Sequence, residues 1–249
     1  MEQTKPKFPT EEVTLPSKGL LYPKTSPLSK GTVEMKYMTA KEEDILTNQN
    51  YIKNGTVIDK LLQSLVVTDI DFNELLVGDK NAILIAARIL GYGSDYSFKY
   101  KEEEINIDLT NIEDKSLDDS LVTEGKNEFY YTLPKSKTEV TFKVLTHGDE
   151  KAINNEIKGL KKINKNNSSD TTTRMKYVIT SINGDREKKT IREYVDNQLL
   201  AMDSRALRNY ISDFQPNVDL QFDYEDNNGD FTRVDIPIGL NFFWPDAAI

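Results

Sequence analysis

Apolar spacing is densest at 77–93, VGDKNAILIAARILGYG, and the rest of a polar chain is laid out around it. Ala82, Ile83, Ile85, Ala86, Ala87, Ile89 and Leu90 cover more than one helical face, the pattern of a buried helix. Asp79 is placed to accept from free backbone N–H groups of the first turn and suits the positive end of the dipole. Gly91 and Gly93 offer the left-handed exit that ends helices. Arg88 is the one charge within the apolar part. Either its stem packs while its head reaches water or an acidic neighbour, or a buried guanidinium clamps a carboxylate.

Upstream, LPSKGLLYP at 15–23 is turn chemistry between apolar anchors: Pro16, Ser17 and Gly19 bend the chain while Leu20, Leu21 and Tyr22 pack. Positions 32–38 alternate as a half-buried strand, with Val33, Met35 and Tyr37 on one side. Thr39-Ala-Lys-Glu42 is a capping box opening a helix over 41–47. Residues 48–54 break it, and Thr56 to Asp59 caps a second helix running to about Val67, with Leu61, Leu62, Leu65 and Val66 as its stripe. Asp69 or Asp71 caps a short helical turn that holds Phe72, Leu75 and Leu76.

The period then changes from helical to two. Tyr96, Phe98 and Tyr100, then Ile105, Ile107 and Leu109, read as a hairpin turning at KEEE, 101–104. Residues 111–126 are acidic and irregular. Positions 129–133 and 139–145 form a second hairpin around Pro134-Lys135-Ser136, and the two hairpins could share one small antiparallel sheet. Thr146 and Asp149 open a polar helix, 150–163. NKNNSSDTTT at 164–173 is a loop or locally disordered. A helix is expected over 174–182, another from the Thr190–Glu193 capping box toward Leu199, and a third capped by Asp203 or Ser204 with Leu207, Tyr210, Ile211 and Phe214 inward. A last hairpin pairs Val218, Leu220, Phe222 and Tyr224 with Phe231, Val234 and Ile236. Phe242, Phe243 and Trp244 then form either an anchor on the body or an exposed contact for a partner.

This pattern predicts an α+β fold: a mostly helical body with small antiparallel β-hairpins. A helical cluster followed by an aromatic hairpin occurs at 39–110 and again at 174–237, so two related helix-plus-hairpin lobes are the alternative. The organisation expected is an arm, helical unit and hairpin in 1–110, a polar insertion in 111–172, and helices, hairpin and aromatic tail in 173–249.

Composition narrows the function. The chain has 249 residues, a net charge of −9, 37% hydrophobic residues, one histidine and no cysteine. Net acidity without a basic cluster argues against non-specific nucleic-acid binding. The lack of thiols excludes disulfides, thiolate metal sites and Cys nucleophiles. No run approaches the roughly 20 apolar residues of a membrane span, and the first residues lack a signal-peptide core. A cytoplasmic site of synthesis is expected.

Candidate chemistry is thin. His147 precedes Gly148 at a helix start, where serving the turn is the simpler role. No G-x-S-x-G elbow, phosphate loop or G-x-G-x-x-G is present. Acidic clusters read as solvated charge, and residues 223–230 fail as a calcium loop because tyrosine would hold the first ligand position. The expectation is no enzyme, no cofactor and no metal.

LPSKGLLYP, then MTAKEEDIL, then Ile58 to Leu62, then LLVGDKNAILIAARILGYG, with FFWP at 242–245, resemble the baseplate hub subunit family of T4-like contractile-tailed phages. The resemblance is strongest over 15–110 and 190–245. It implies a virion or assembly protein, acting through contacts with other baseplate hub or tail proteins and not with nucleic acid or membrane. It leaves open a hub component that stays in the virion or an assembly chaperone that leaves. Cysteine pairs expected in relatives near the aromatic hairpins are missing here at 98–103 and 224–229, so no zinc role is expected. Leu20, Leu21, Tyr22, Phe242, Phe243 and Trp244 are the expected partner contacts, together with the N-terminal arm.

Overall fold

Leucine, isoleucine and phenylalanine at helical spacing bury themselves against short antiparallel sheets of two or three strands, once in each half of the chain. The computed structural model describes residues 9–115, 117, 119–163, 169–225 and 229–243. In the first half, strands β1 (Thr10–Thr14) and β2 (Thr32–Lys36) pair antiparallel, and helices α1 (Ala40–Leu46), α2 (Gln49–Asn54), α3 (Val57–Leu65) and α4 (Val77–Tyr92) follow. Strands β3 (Asp95–Tyr100) and β4 (Glu103–Asp108) close it as a hairpin. A linking strand β5 (Asp114–Lys115) leads on. The second half runs β6 (Phe129–Thr132), β7 (Glu139–Phe142), α5 (His147–Ile163), α6 (Asp170–Val178), β8 (Ile179–Ile182), α7 (Lys188–Asn197) and α8 (Ala201–Phe214). It ends in β9 (Asn217–Val218), which pairs with β5, and the hairpin β10 (Gln221–Glu225) and β11 (Phe231–Asp235). The fold is α+β with a mostly helical body, as the periodicity predicts.

The central helix forms where expected and ends at Gly93, whose φ of 85° suits glycine. Ile83 and Ala87 are fully buried in it. Arg88 is buried too, but its guanidinium donates to the Gly93 and Asp95 carbonyls at 2.7 and 2.9 Å and not to a carboxylate. It fastens the helix exit to β3.

Several expectations need correction. Residues 48–54 do not break the helical unit but form α2, because Asn48 Oδ1 accepts from the Asn50 and Tyr51 N–H groups. Residues 72–75 turn without making a helix. The expected helix over 174–182 ends at Val178, and Ile179–Ile182 becomes a strand on β7. Its β-branched residues suit the pleat, and Thr141 bonds both Thr180 and Ser181 across it at 2.7 Å. Helix α7 begins two residues before Thr190. The hairpins β3–β4 and β6–β7 lie in separate sheets. KEEE turns only at Lys101 and Glu102, both at positive φ, as a two-residue hairpin loop requires.

The two halves share one plan. β2 and α1 open at Thr32 and Ala40; β7 and α5 open 107 residues later at Glu139 and His147. α3 and α6 open at Val57 and Asp170, and α4 and α8 at Val77 and Ala201. The residues agree in detail. Val33, Lys36, Thr39 and Glu42 match Val140, Lys143, Thr146 and Asp149, and each lysine meets its acid at 2.8 Å. Each threonine N–H also donates to that acid, at 2.9 and 3.0 Å. Met35 pairs with Val66 as Phe142 pairs with Ile179. Phe98 and Tyr100 correspond to Phe222 and Tyr224, and these matching rings pack edge-on at 5.3 and 4.9 Å. Helix α7 has no counterpart.

Gly78 lets the halves approach closely: a Cβ there would lie 1.9 Å from the Pro216 carbonyl oxygen. Gly78→Ala should therefore cost about 1–3 kcal/mol in urea unfolding. Gly239→Ala, where nothing lies within 4 Å, should cost far less.

Candidate functional site

Three buried acids organise the polar interior, and each ties a helix start to another element. Asp79 sits at the third position of α4 and is fully buried. It does not cap its own helix. The Ser17 N–H donates to Oδ1 at 2.9 Å, and the Ser17 and Tyr22 hydroxyls donate to Oδ2 at 2.6 Å each. Tyr22 Oη in turn accepts the Leu76 N–H at 2.9 Å, which satisfies the helix start that Asp79 leaves. Burial pushes the Asp79 carboxyl above its ordinary range, against the pull of the Ser17 and Tyr22 donors. Burial and the adjacent carboxylate push the Tyr22 phenol far up. Asp203 repeats the device at the third position of α8: it accepts the Lys135 and Ser136 N–H groups at 2.7 and 2.9 Å. Glu42 is the third. Burial would raise it, but Lys36, Thr39 and Ser64 outweigh that and hold it at about 2.

A fourth acid, Asp59 on α3, gathers three basic side chains around it. Lys80 Nζ of α4 lies 2.9 Å from Oδ1; His147 Nε2 and Lys151 Nζ of α5 lie 3.0 and 3.2 Å from Oδ2. Lys80 Nζ is also 3.1 Å from His147 Nδ1. An ammonium has only protons to offer, so Nδ1 accepts and Nε2 carries the hydrogen that meets Asp59. Burial opposes ionisation of Asp59, yet His147 and Lys80 hold it well below the usual carboxylate range. These residues border a cavity of about 490 Å³ with Asn81, Glu150 and Asn154, floored by Ile58 and Leu84. Glu150 is held bidentately by Arg174. Both Asp59 oxygens and both His147 nitrogens are thus occupied. The arrangement holds charge in place and joins α3 and α4 of the first half to α5 of the second.

His147 does sit at a helix start, as its sequence context suggests, but it does more than serve a turn. Periodicity missed the link because Asp59, Lys80 and His147 are far apart in sequence. Their one shared signal is that each stands within the first turn of a helix.

The expected contact residues are mostly internal. Leu21 and Tyr22 are 2% and 4% exposed, and Phe242 and Phe243 are fully buried. The Phe242 ring packs edge-on against Tyr96 and Phe243. They are therefore an anchor and not an exposed contact, because the body of this chain already covers them. Leu20 is half-buried. Trp244 and the first eight residues of the arm lie outside the described residues. The large apolar side chains that do face solvent are others, among them Tyr130, Leu200, Met202 and Phe231. Among the described residues no helix is long and apolar enough to cross a membrane, and no three acidic or histidine side chains are grouped to hold a metal. No family model, curated protein or solved structure matches the chain.

Tyr22→Phe removes two buried hydrogen bonds, at 2.6 and 2.9 Å, and Ser17→Ala also removes two, one to Asp79 at 2.6 Å and a longer, weaker one from the Gly19 N–H at 3.2 Å. At about 1–3 kcal/mol for each buried group left unpaired, Tyr22→Phe should lower the thermal midpoint more than Ser17→Ala. The reverse order would contradict the Tyr22 relay. Glu42, lowered from 4.5 to about 2, contributes stability that is complete above its unfolded value and lost as pH falls toward the folded one. The urea midpoint of Glu42→Gln should therefore lie below that of the parent near neutrality, and the gap should close on acidification from pH 4.5 to about 2.

Proposed function

We propose that this chain is a structural subunit of a phage tail baseplate hub, acting by protein–protein contacts during baseplate assembly. One observation carries the reading: the sequence blocks that resemble the hub family assemble into one bonded unit. Ser17 and Tyr22 of LPSKGLLYP hold Asp79 of VGDKNA. Thr39 and Glu42 of MTAKEEDIL bond each other and reach Ser64 at the end of α3. The blocks thus describe an architecture and not scattered letters.

The chemistry is compatible with this role. The Asp59 cluster and the pairing of Leu76 with Thr146 join the halves, and apolar side chains such as Leu200 and Met202 are left outside. Rigid bodies with exposed apolar anchors lose little freedom on association.

Mass spectrometry of purified virions of the encoding phage tests the proposal. A hub subunit should be found in whole copies per particle. Its absence from virions, with co-purification from infected cells alongside hub proteins, would favour an assembly chaperone; absence from both would overturn the reading.

A further inference from the structure

The duplicated plan leaves one edge covered and its twin bare. At the start of α4, residues 73–77 lie antiparallel against residues 145–148 of the second half. The Val77 N–H donates to the Leu145 carbonyl at 3.1 Å, and the His147 N–H donates to the Leu75 carbonyl at 2.7 Å. Leu76 and Thr146 pair between them, and Leu76 is 1% exposed. In the register of the repeat, Leu75–Val77 corresponds to Leu199–Ala201, and Leu145–His147 corresponds to Met38–Ala40. These twins do not meet within the chain. Leu200 is 45% and Met202 68% exposed, and Tyr37 and Ala40 face solvent at the other end. Among the described residues, the Ala201 N–H and the Leu199 carbonyl have no backbone partner, and the same holds for the Ala40 N–H and the Met38 carbonyl. The two bare edges are thus the donor–acceptor complements of each other.

We propose that a second copy of this chain covers the Leu199–Met202 edge with its own Met38–Ala40 strip. The Ala201 N–H would donate to the second copy's Met38 carbonyl, and the second copy's Ala40 N–H to the Leu199 carbonyl. The pattern within the chain is the precedent. Charge supports it: Arg205 stands where Asn81 stands in the first half, on the cavity that Glu150 and Lys151 also line, and the places of those two hold Glu43 and Asp44 in the second copy. Met202 replaces Gly78, so the copies cannot approach as closely there as Gly78 approaches Pro216; a flexible thioether fills the wider gap. The counterparts of Asp59, Lys80 and His147 are Thr172, Ser204 and Ala40, so the contact lacks the charged cluster and is weaker than the one within the chain. Leu199–Met202 of one copy meets Met38–Ala40 of the other, so assembly closes as a two-fold dimer where both contacts form reciprocally and otherwise runs head to tail.

The test is sedimentation velocity of the full chain over a concentration series. It needs no hub protein, so its outcome is independent of the virion experiment. Association should rise with concentration and fall in Ala40→Pro and Ala201→Pro. Each change sits at a first helical position, where proline is tolerated, and removes one donor. Each should weaken association about three- to tenfold, with helicity and thermal midpoint unchanged. Met202→Asp should abolish it, and Arg205→Glu should weaken it in a manner rescued by mixing with Glu43→Lys. A monomer at every concentration up to the order of 1 mM, or association undiminished in both proline variants, overturns the proposal.

Discussion

A carboxylate sealed inside the protein, with no counter-ion among the described residues, is the constraint on which the first half depends. Asp79 sits without a lysine or arginine among its hydrogen-bond partners, so its cost of burial is offset only by the Ser17 and Tyr22 donors. Those donors come from a turn more than fifty residues away. The turn must therefore be in place for α4 to begin, and α4 must be in place for the turn to hold. Such a bond is specific because it is expensive to leave half made. Asp203 applies the same logic to the β6–β7 turn, and this shared device is the strongest chemical sign that the halves are copies of one plan.

The regular elements were largely legible because periodicity reports burial directly. The central helix, the strand over Val33 and Met35, and the hairpins over Tyr96 and Phe129 all followed from it. Errors fell where two signals coincide. Met175, Val178, Ile179 and Ile182 fit a helical stripe, but the last two also fit a strand, and pairing with β7 decided the matter. Asp79 and Asp203 look like caps because acids are common near helix starts; only the distant turns reveal that their oxygens are already taken. Asn48 begins a helix that is too short to show a period.

The interior cluster around Asp59 was not legible at all. No spacing rule links residues 59, 80 and 147, and a lone histidine beside a glycine gives no hint of partners. The aromatic end misled for a different reason. Rings at a terminus are attractive contacts in a linear reading, but Phe242 and Phe243 complete a core that is otherwise open beside Tyr96. Position along a chain says little about depth.

The cluster around Asp59 also has a mechanical consequence. Asp59 and Lys80 belong to the first repeat, His147 and Lys151 to the second. If either repeat peeled away, Asp59 would keep Lys80 but lose His147 and Lys151, and water would take their place. Neighbouring repeats are coupled through the interface between them; here the ion pairs and the backbone pairing of Leu76 with Thr146 tie the unfolding of one repeat to that of the other.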